Sequence, residues 1–231
     1  MYACHKFVPM LLYLQILKNI VIMEITEKIK EMPYLSKTAL ANAFNKNPNT
    51  LRNSLAYWKK NGSLVQIKRG FFVFREYLDK RDNALYYPRF IATKMIEPSY
   101  LSKEFALQEY GMFTDAVFGY SVITTKKTQT ITNQFGIFNY QSIKPKLFGG
   151  FVEKTYGNTA WSMATKSKAL FDYLYFNKNK FRRIDGDELD ALRLNLKIME
   201  KKDWVEFSTY VKQGDKKIQA ICGLVKKYAN R

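Results

Sequence analysis

Asp and Glu are missing from one whole stretch of this chain. Between Met32 and Arg75 there is neither, while eight basic residues stand there: Lys37, Lys46, Arg52, Lys59, Lys60, Lys68, Arg69 and Arg75. An ordinary solvated face carries both signs, so the absence argues against a merely soluble surface. Histidine is nearly lacking as well. The single His5 lies in the first 22 residues, which excludes histidine base catalysis and histidine-rich metal sites from the rest. Only Cys4 and Cys222 are present, near opposite ends and with no metal-ligand or redox spacing, as in a protein of the reducing cytoplasm. There is no G-x-x-x-x-G-K phosphate loop and no dinucleotide fingerprint. Gly149 and Gly150 are a lone pair of the kind found at a bulge or turn. The apolar run Phe7–Leu17 ends at Lys18 and Asn19, too short to span a bilayer. No repeat and no low-complexity tract occurs. These absences lead us to expect no cofactor, no metal, no membrane partner and no enzyme activity.

What is present suits a globular, polyanion-binding protein. The 231 residues are 47% hydrophobic and 16% aromatic, enough to fill a core. Their net charge of +18 predicts attraction to nucleic acid first and to an anionic membrane surface second. A composition rich in Lys, Asn, Ile, Phe and Tyr, as an AT-rich coding sequence produces, accounts for part of that surplus.

Met1–Ile22 stands apart. It is either an upstream extension set by start-site choice, with Met23 as the natural start, or an amphipathic leader helix; no small-residue cleavage site follows it. A domain is expected over 23–76. Glu24–Met32 forms a helix ended by Pro33. Ser36 caps a second helix, Lys37–Phe44, and Asn45–Pro48 turn the chain. Asn49 or Thr50 caps a third helix that buries Leu51, Leu55 and Trp58 and stops at Asn61 and Gly62. The period then changes to that of strands, Leu64–Ile67 and Phe71–Phe74, which form a hairpin tipped by Lys68, Arg69 and Gly70. Helix, turn, helix and hairpin in that order make a winged helix-turn-helix. Residues 77–87 read as a linker, and 88–231 as a larger mixed α/β domain. That domain begins with short helices Arg89–Ile96 and Lys103–Tyr110, the latter capped by Ser102. Strands follow at Phe118–Thr125, Thr128–Ile131, Gly136–Tyr140 and around Phe148–Tyr156. Helices at Thr165–Tyr175, Asp187–Lys202, Trp204–Lys212 and Lys216–Tyr228 close the chain. The fold class expected is therefore α+β.

In a helix-turn-helix the second helix enters the major groove with its N-terminal residues facing base edges. Those residues here are Asn49, Thr50, Arg52 and Asn53. Arginine pairs bidentately with guanine and asparagine with adenine, which singles out Arg52 and Asn53 for direct readout, with Tyr57 one turn further on. Lys37, Lys46, Lys59, Lys60, Lys68 and Arg69 are placed for phosphate contacts, which give affinity and register without sequence information. Double-stranded DNA is the expected partner.

Carboxylates supply the alternative, a metal-dependent nuclease-like enzyme. Asp185, Asp187, Glu188 and Asp190 cluster, but at a helix start, where the macrodipole favours acids. Glu200, Lys201 and Lys202 match an E-x-K nuclease fragment, but on a helix and not on the strand that chemistry uses. Asp172 lies in an apolar helix, partly buried, and needs a partner such as a nearby lysine. A third alternative is a non-regulatory nucleic-acid-binding module.

The order of segments resembles the AbiEi-type antitoxins of type IV toxin-antitoxin systems. The resemblance is carried by Lys68-Arg69-Gly70-Phe71-Phe72-Val73 at the wing, Pro88-Arg89-Phe90-Ile91-Ala92, and Pro98-Ser99-Tyr100-Leu101-Ser102 leading to Phe105-Ala106-Leu107 and Tyr110-Gly111. A further piece is Ala164-Thr165-Lys166-Ser167-Lys168-Ala169-Leu170-Phe171-Asp172, and the whole spans roughly Met23 to Asp172. Thr165 and Ser167 depart from the more acidic pair expected before Lys168. The resemblance implies an autorepressor of its own promoter and an antitoxin against a nucleotidyltransferase-like toxin, acting without stable toxin binding. It implies that the second domain, with 24 basic against 14 acidic residues over 86–231, supplies the antitoxin activity.

Overall fold

The computed structural model describes residues 27–45, 47–157 and 159–229, without the side chains of 81–85. It is a mixed α+β protein that ends in helices and divides into two compact units, Met1–Ala84 and Leu85–Arg231. The Met1–Ile22 leader and Lys46 lie outside the described residues.

In the first unit, residues 27–30 are helical, and a short strand β1 (Leu35–Ser36) leads into α1 (Lys37–Ala43). The Ser36 hydroxyl accepts from the Ala39 N–H at 3.0 Å, so this helix begins at the expected cap. Helix α2 (Pro48–Lys60) starts earlier than its periodicity suggests. Its cap is Asn47, not Asn49 or Thr50, because the Asn47 side chain accepts from the Thr50 N–H at 2.9 Å and Pro48 takes the first helical position, where no N–H is needed. Strands β2 (Leu64–Lys68) and β3 (Phe71–Phe74) pair antiparallel, and β1 joins the other side of β3, giving the order β1-β3-β2. Ile29, Leu35, Leu40, Leu51, Leu55, Leu64, Phe72 and Phe74 form one core, with Phe44 and Trp58 packed on it. Gly70 (φ +81°) makes the hairpin tip, a left-handed turn that suits glycine.

The segment 77–87, read as a linker, lies in two helices with a break at Asp79 and Lys80. Tyr77 and Leu78 are buried in α3 (Arg75–Leu78), and α4 (Arg81–Lys94) runs through Pro88, where the sequence reading started a new helix at Arg89. Burial of Tyr87, Phe90, Ile91 and Ala92 outweighs the hydrogen bond that proline removes.

The second unit is built on a six-stranded mixed sheet. Its strands are β4 (Ser99–Leu101), β5 (Tyr120–Thr124), β6 (Gln129–Asn133), β7 (Gly136–Ser142), β8 (Phe151–Tyr156) and β9 (Thr159–Ala164). Their order is β6-β7-β5-β4-β9-β8, with β4 parallel to β9 and β5 parallel to β7. Helix α5 (Lys103–Glu109) follows β4. Ser102 stands at its cap position but makes no cap bond, because its hydroxyl is taken elsewhere. Helix α6 (Lys166–Asn177), capped by Thr165, is buried at nearly every position from Ser167 to Leu174 and packs on α5, β9, α8 (Lys201–Gln213) and α9 (Lys216–Ala229). Such all-round burial marks it as the central helix.

The expected helix Asp187–Lys202 is only α7 (Gly186–Asp190). Beyond it Arg193 takes φ +49°, Leu194 bridges to Phe113, and the Asn195 N–H donates to the Met112 carbonyl at 2.9 Å. Tertiary pairing thus overrides the leucine periodicity of that stretch.

Candidate nucleic-acid interface

Helix α2 divides cleanly into two faces. Leu51 and Leu55 are buried and Trp58 is half-buried, while Asn49, Arg52, Asn53, Tyr57 and Lys60 fall at i, i+3, i+4, i+8 and i+11 on the opposite side, all exposed. Tyr57 keeps 65% of its surface open to solvent. Thr50 and Lys59 flank this stripe. Lys59 and Lys60 sit in the last turn, where the helix dipole favours cations, and the Lys59 amine donates to Gln66 at 3.2 Å.

The hairpin tip lies beside the start of α1. The Lys37 N–H donates to the Gly70 carbonyl at 2.9 Å, which brings exposed Lys37 and exposed Arg69 to one corner. Lys68 is different. Its amine lies 4.5 Å over the Phe71 ring, and burial pulls its pKa below the usual lysine range. Of the two tip residues, Arg69 is the freer for a phosphate. Three acids flanking this unit's basic window are paired with lysines outside it: Glu27 (3.1 Å) and Glu76 (3.2 Å) with Lys30, and Glu31 with Lys80 (3.2 Å). That pairing leaves the α2 stripe and the hairpin tip without neutralising carboxylates in their own segment.

Asp172 is fully buried, not partly. Lys168, one turn before it and equally buried, donates at 2.6 Å; Ser102 and Tyr100 donate at 2.8 and 3.0 Å. Burial pushes the Asp172 carboxyl above its usual range, against the opposing pull of Lys168 and the hydroxyls. The sequence pointed to a lysine partner but carried no signal for Tyr100 and Ser102, which come from the neighbouring strand. Gly150 lets this cluster close: a Cβ there would meet the Tyr210 ring at 2.7 Å and Lys168 at 3.1 Å. Several of the other candidate carboxylates are also engaged. Asp185 caps α7, and Glu188 accepts from the Arg182 and Arg183 N–H groups. Glu200 and Asp203 close a capping box on α8, which places Glu200 at the cap and not inside a helix. Among the described residues no three His, Cys, Asp or Glu side chains converge on a metal position.

Asp203 carries a pH prediction. Burial opposes its ionisation, but the Glu200 N–H and the Lys166 amine, both at 2.9 Å, outweigh it and hold the carboxyl below its usual range. A depressed folded-state pKa stabilises the fold above the ordinary aspartate pKa, and this is lost as pH falls through the folded value. Asp203→Asn should therefore cost about 1 kcal/mol at pH 7 and less at pH 2. Urea unfolding at the two pH values measures it; an equal cost at both would refute the electrostatic origin.

Among the described residues no helix is long and apolar enough to cross a membrane. Compared with known proteins, the chain matches no family model and no curated protein sequence.

Proposed function

We propose that this protein is a DNA-binding transcriptional autorepressor whose first unit is a winged helix-turn-helix. We further propose that it acts as the antitoxin of a type IV toxin-antitoxin system, in the cytoplasm and without enzymatic activity. The observation that carries the DNA-binding part is the α2 stripe: an arginine and two asparagines at the start of a helix whose other face is buried, in a segment with no acids. Arg52 and Asn53 read bases in the major groove; Lys37, Lys59, Lys60 and Arg69 hold phosphates. The antitoxin part rests on the sequence resemblance to AbiEi-type proteins alone.

The test is competition at physiological salt between the protein's own upstream DNA, random duplex and RNA. A repressor should prefer the upstream duplex by about 10³-fold or more, and a non-regulatory module should show no such ratio. For the antitoxin role, co-expression with the neighbouring gene's product should restore growth that the product alone arrests.

A further inference from the structure

A cleft of about 640 Å³ opens over three strands of the second unit, apart from every role assigned above. Its floor is one face of β5, β6 and β7. The register sets Thr130 beside Asn139 and Asn139 beside Ser121, while Val122, Phe138 and Tyr140 are buried in the core. The polar row is bonded internally: Thr130 Oγ1 donates to Asn139 Oδ1 at 3.1 Å, Ser121 Oγ to Glu104 Oε2 at 3.0 Å, and Lys103 Nζ to Gln141 Oε1 at 2.6 Å. Both amides thus use their oxygens within the row. Their nitrogens have no partner among the described residues.

Lys103 sits at this floor in a left-handed backbone conformation, φ +54°, which a non-glycine residue keeps only when its surroundings enforce it. The enforcement is visible. Ser102, immediately before it, is tied to the buried Asp172, and the Lys103 amine is held between Gln141 and Glu104 with a side chain only 10% exposed. At the rim stand Phe113, Val117 and Phe118, and Phe118 is 87% exposed, an aromatic face with nothing on it.

The cleft therefore offers N–H donors from Lys103, Gln141 and Asn139, a carboxylate beside them in Glu104, with a second, Asp115, drawn to Arg193 at 3.4 Å, and the Phe118 ring at the rim. A flat heterocycle with adjacent acceptors on one edge and adjacent donors on another satisfies all three. Guanine is the nucleobase that does so. Its O6 and N7 accept side by side, and its N1–H and N2–H₂ donate side by side. Adenine and cytosine set a ring-nitrogen lone pair next to their amine, which would repel the carboxylate, and uracil sets its single N–H between two carbonyls.

We propose that this cleft binds the guanine ring of a nucleotide. Phe118 stacks on the ring, Glu104 takes the N1–H and N2–H₂ edge, and Lys103 with the Gln141 and Asn139 amides takes the acceptor edge. The ring can come from a free mononucleotide or from an unstacked base of a single strand.

Titration calorimetry of the full chain with GMP, AMP, CMP and UMP tests the proposal. A parallel arm uses an A-rich hexanucleotide with or without one central guanine. GMP should bind at least about tenfold more tightly than the other three. Phe118→Ala, at an exposed site that does not support the core, should weaken GMP about tenfold. Glu104→Gln, which keeps the Ser121 bond but removes the charge beside Lys103, should erase the preference of GMP over AMP at a temperature where circular dichroism shows the variant folded. Binding of GMP as tight as the guanine-containing hexamer identifies a free-nucleotide site. A hexamer bound more tightly than GMP, with its guanine required, identifies a strand-reading site. No binding of any ligand at millimolar concentration, equal binding of all four nucleotides, or GMP binding indifferent to both variants would overturn the proposal.

Discussion

Asp172→Ala should destabilise the second unit by about 3–5 kcal/mol, because it strands the Lys168 ammonium in the interior without a counter-charge. Lys168 and Asp172 have no exposed side-chain surface, and the lysine's other neighbours are the rings of Phe171, Tyr210 and Tyr100, with centroids 5.0, 5.3 and 5.8 Å from its amine. Those faces attract a cation, but they do not replace a carboxylate at 2.6 Å. The paired replacement Lys168→Met with Asp172→Leu removes both charges and should recover most of the loss, leaving the unpaired Tyr100 and Ser102 hydroxyls as the residual cost. The measurement can be confined to the correct unit. Of the three tryptophans, Trp58 lies in the first unit and Trp161 and Trp204 in the second, so in a Trp58→Phe background fluorescence reports the second unit alone. Its melting temperature should fall by roughly 10 °C in Asp172→Ala. A fall of only one or two degrees, or a double variant no better than the single one, would show that the pair is not what holds α6 in place.

That pair also marks where the sequence stops being legible. Asp172 in an apolar helix demanded a cation, and Lys168 at i−4 was the nearest, so the local half of the cluster could be read from the chain. The other half could not, since Tyr100 and Ser102 lie some seventy residues away and reach Asp172 only because β4 lies within the sheet. β4 itself escaped notice because Ser99–Leu101 is short and buried throughout, and so shows no alternation. The same holds for β1, two residues that form a strand only because β3 runs beside them. Helices with a side-chain cap were legible to within a residue or two, as α1 and α6 show. Segments governed by distant partners were not. Polar composition up to Tyr87 read as a linker with a new helix after Pro88, and the packed core carries one helix through that proline; the leucines from 189 to 196 promised one long helix and the bridge to Phe113 broke it. The α2 stripe was readable because helical spacing alone decides which of its residues face away from Leu51 and Leu55. The different environments of Lys68 and Arg69 were not, since both are basic residues at a tip and only the Phe71 ring separates their roles.

On the proposed docking, Arg52→Ala should lower affinity for the operator by about 1–3 kcal/mol, a factor of roughly 5 to 150, and relax the preference at one base pair. The side chain is exposed on α2 and the buried contacts of that helix come from Leu51 and Leu55, so the fold should be unaffected and the loss belongs to recognition. The control must remove a phosphate contact without disturbing the hairpin. Lys68→Ala is unsuitable, since the amine packs on Phe71 and its loss changes the strand pair as well as the charge. Arg69→Ala is the cleaner change. It should weaken operator and random duplex alike and make the dependence of log K on log salt shallower by about one unit. The two variants thus separate along different axes: one in the ratio of operator to random DNA, the other in salt slope at constant ratio. Equal losses on both DNAs for Arg52→Ala would remove it from the base-reading role. An unchanged slope for Arg69→Ala would take the hairpin tip off the DNA, leaving α2 and Lys37 as the contacts of the first unit.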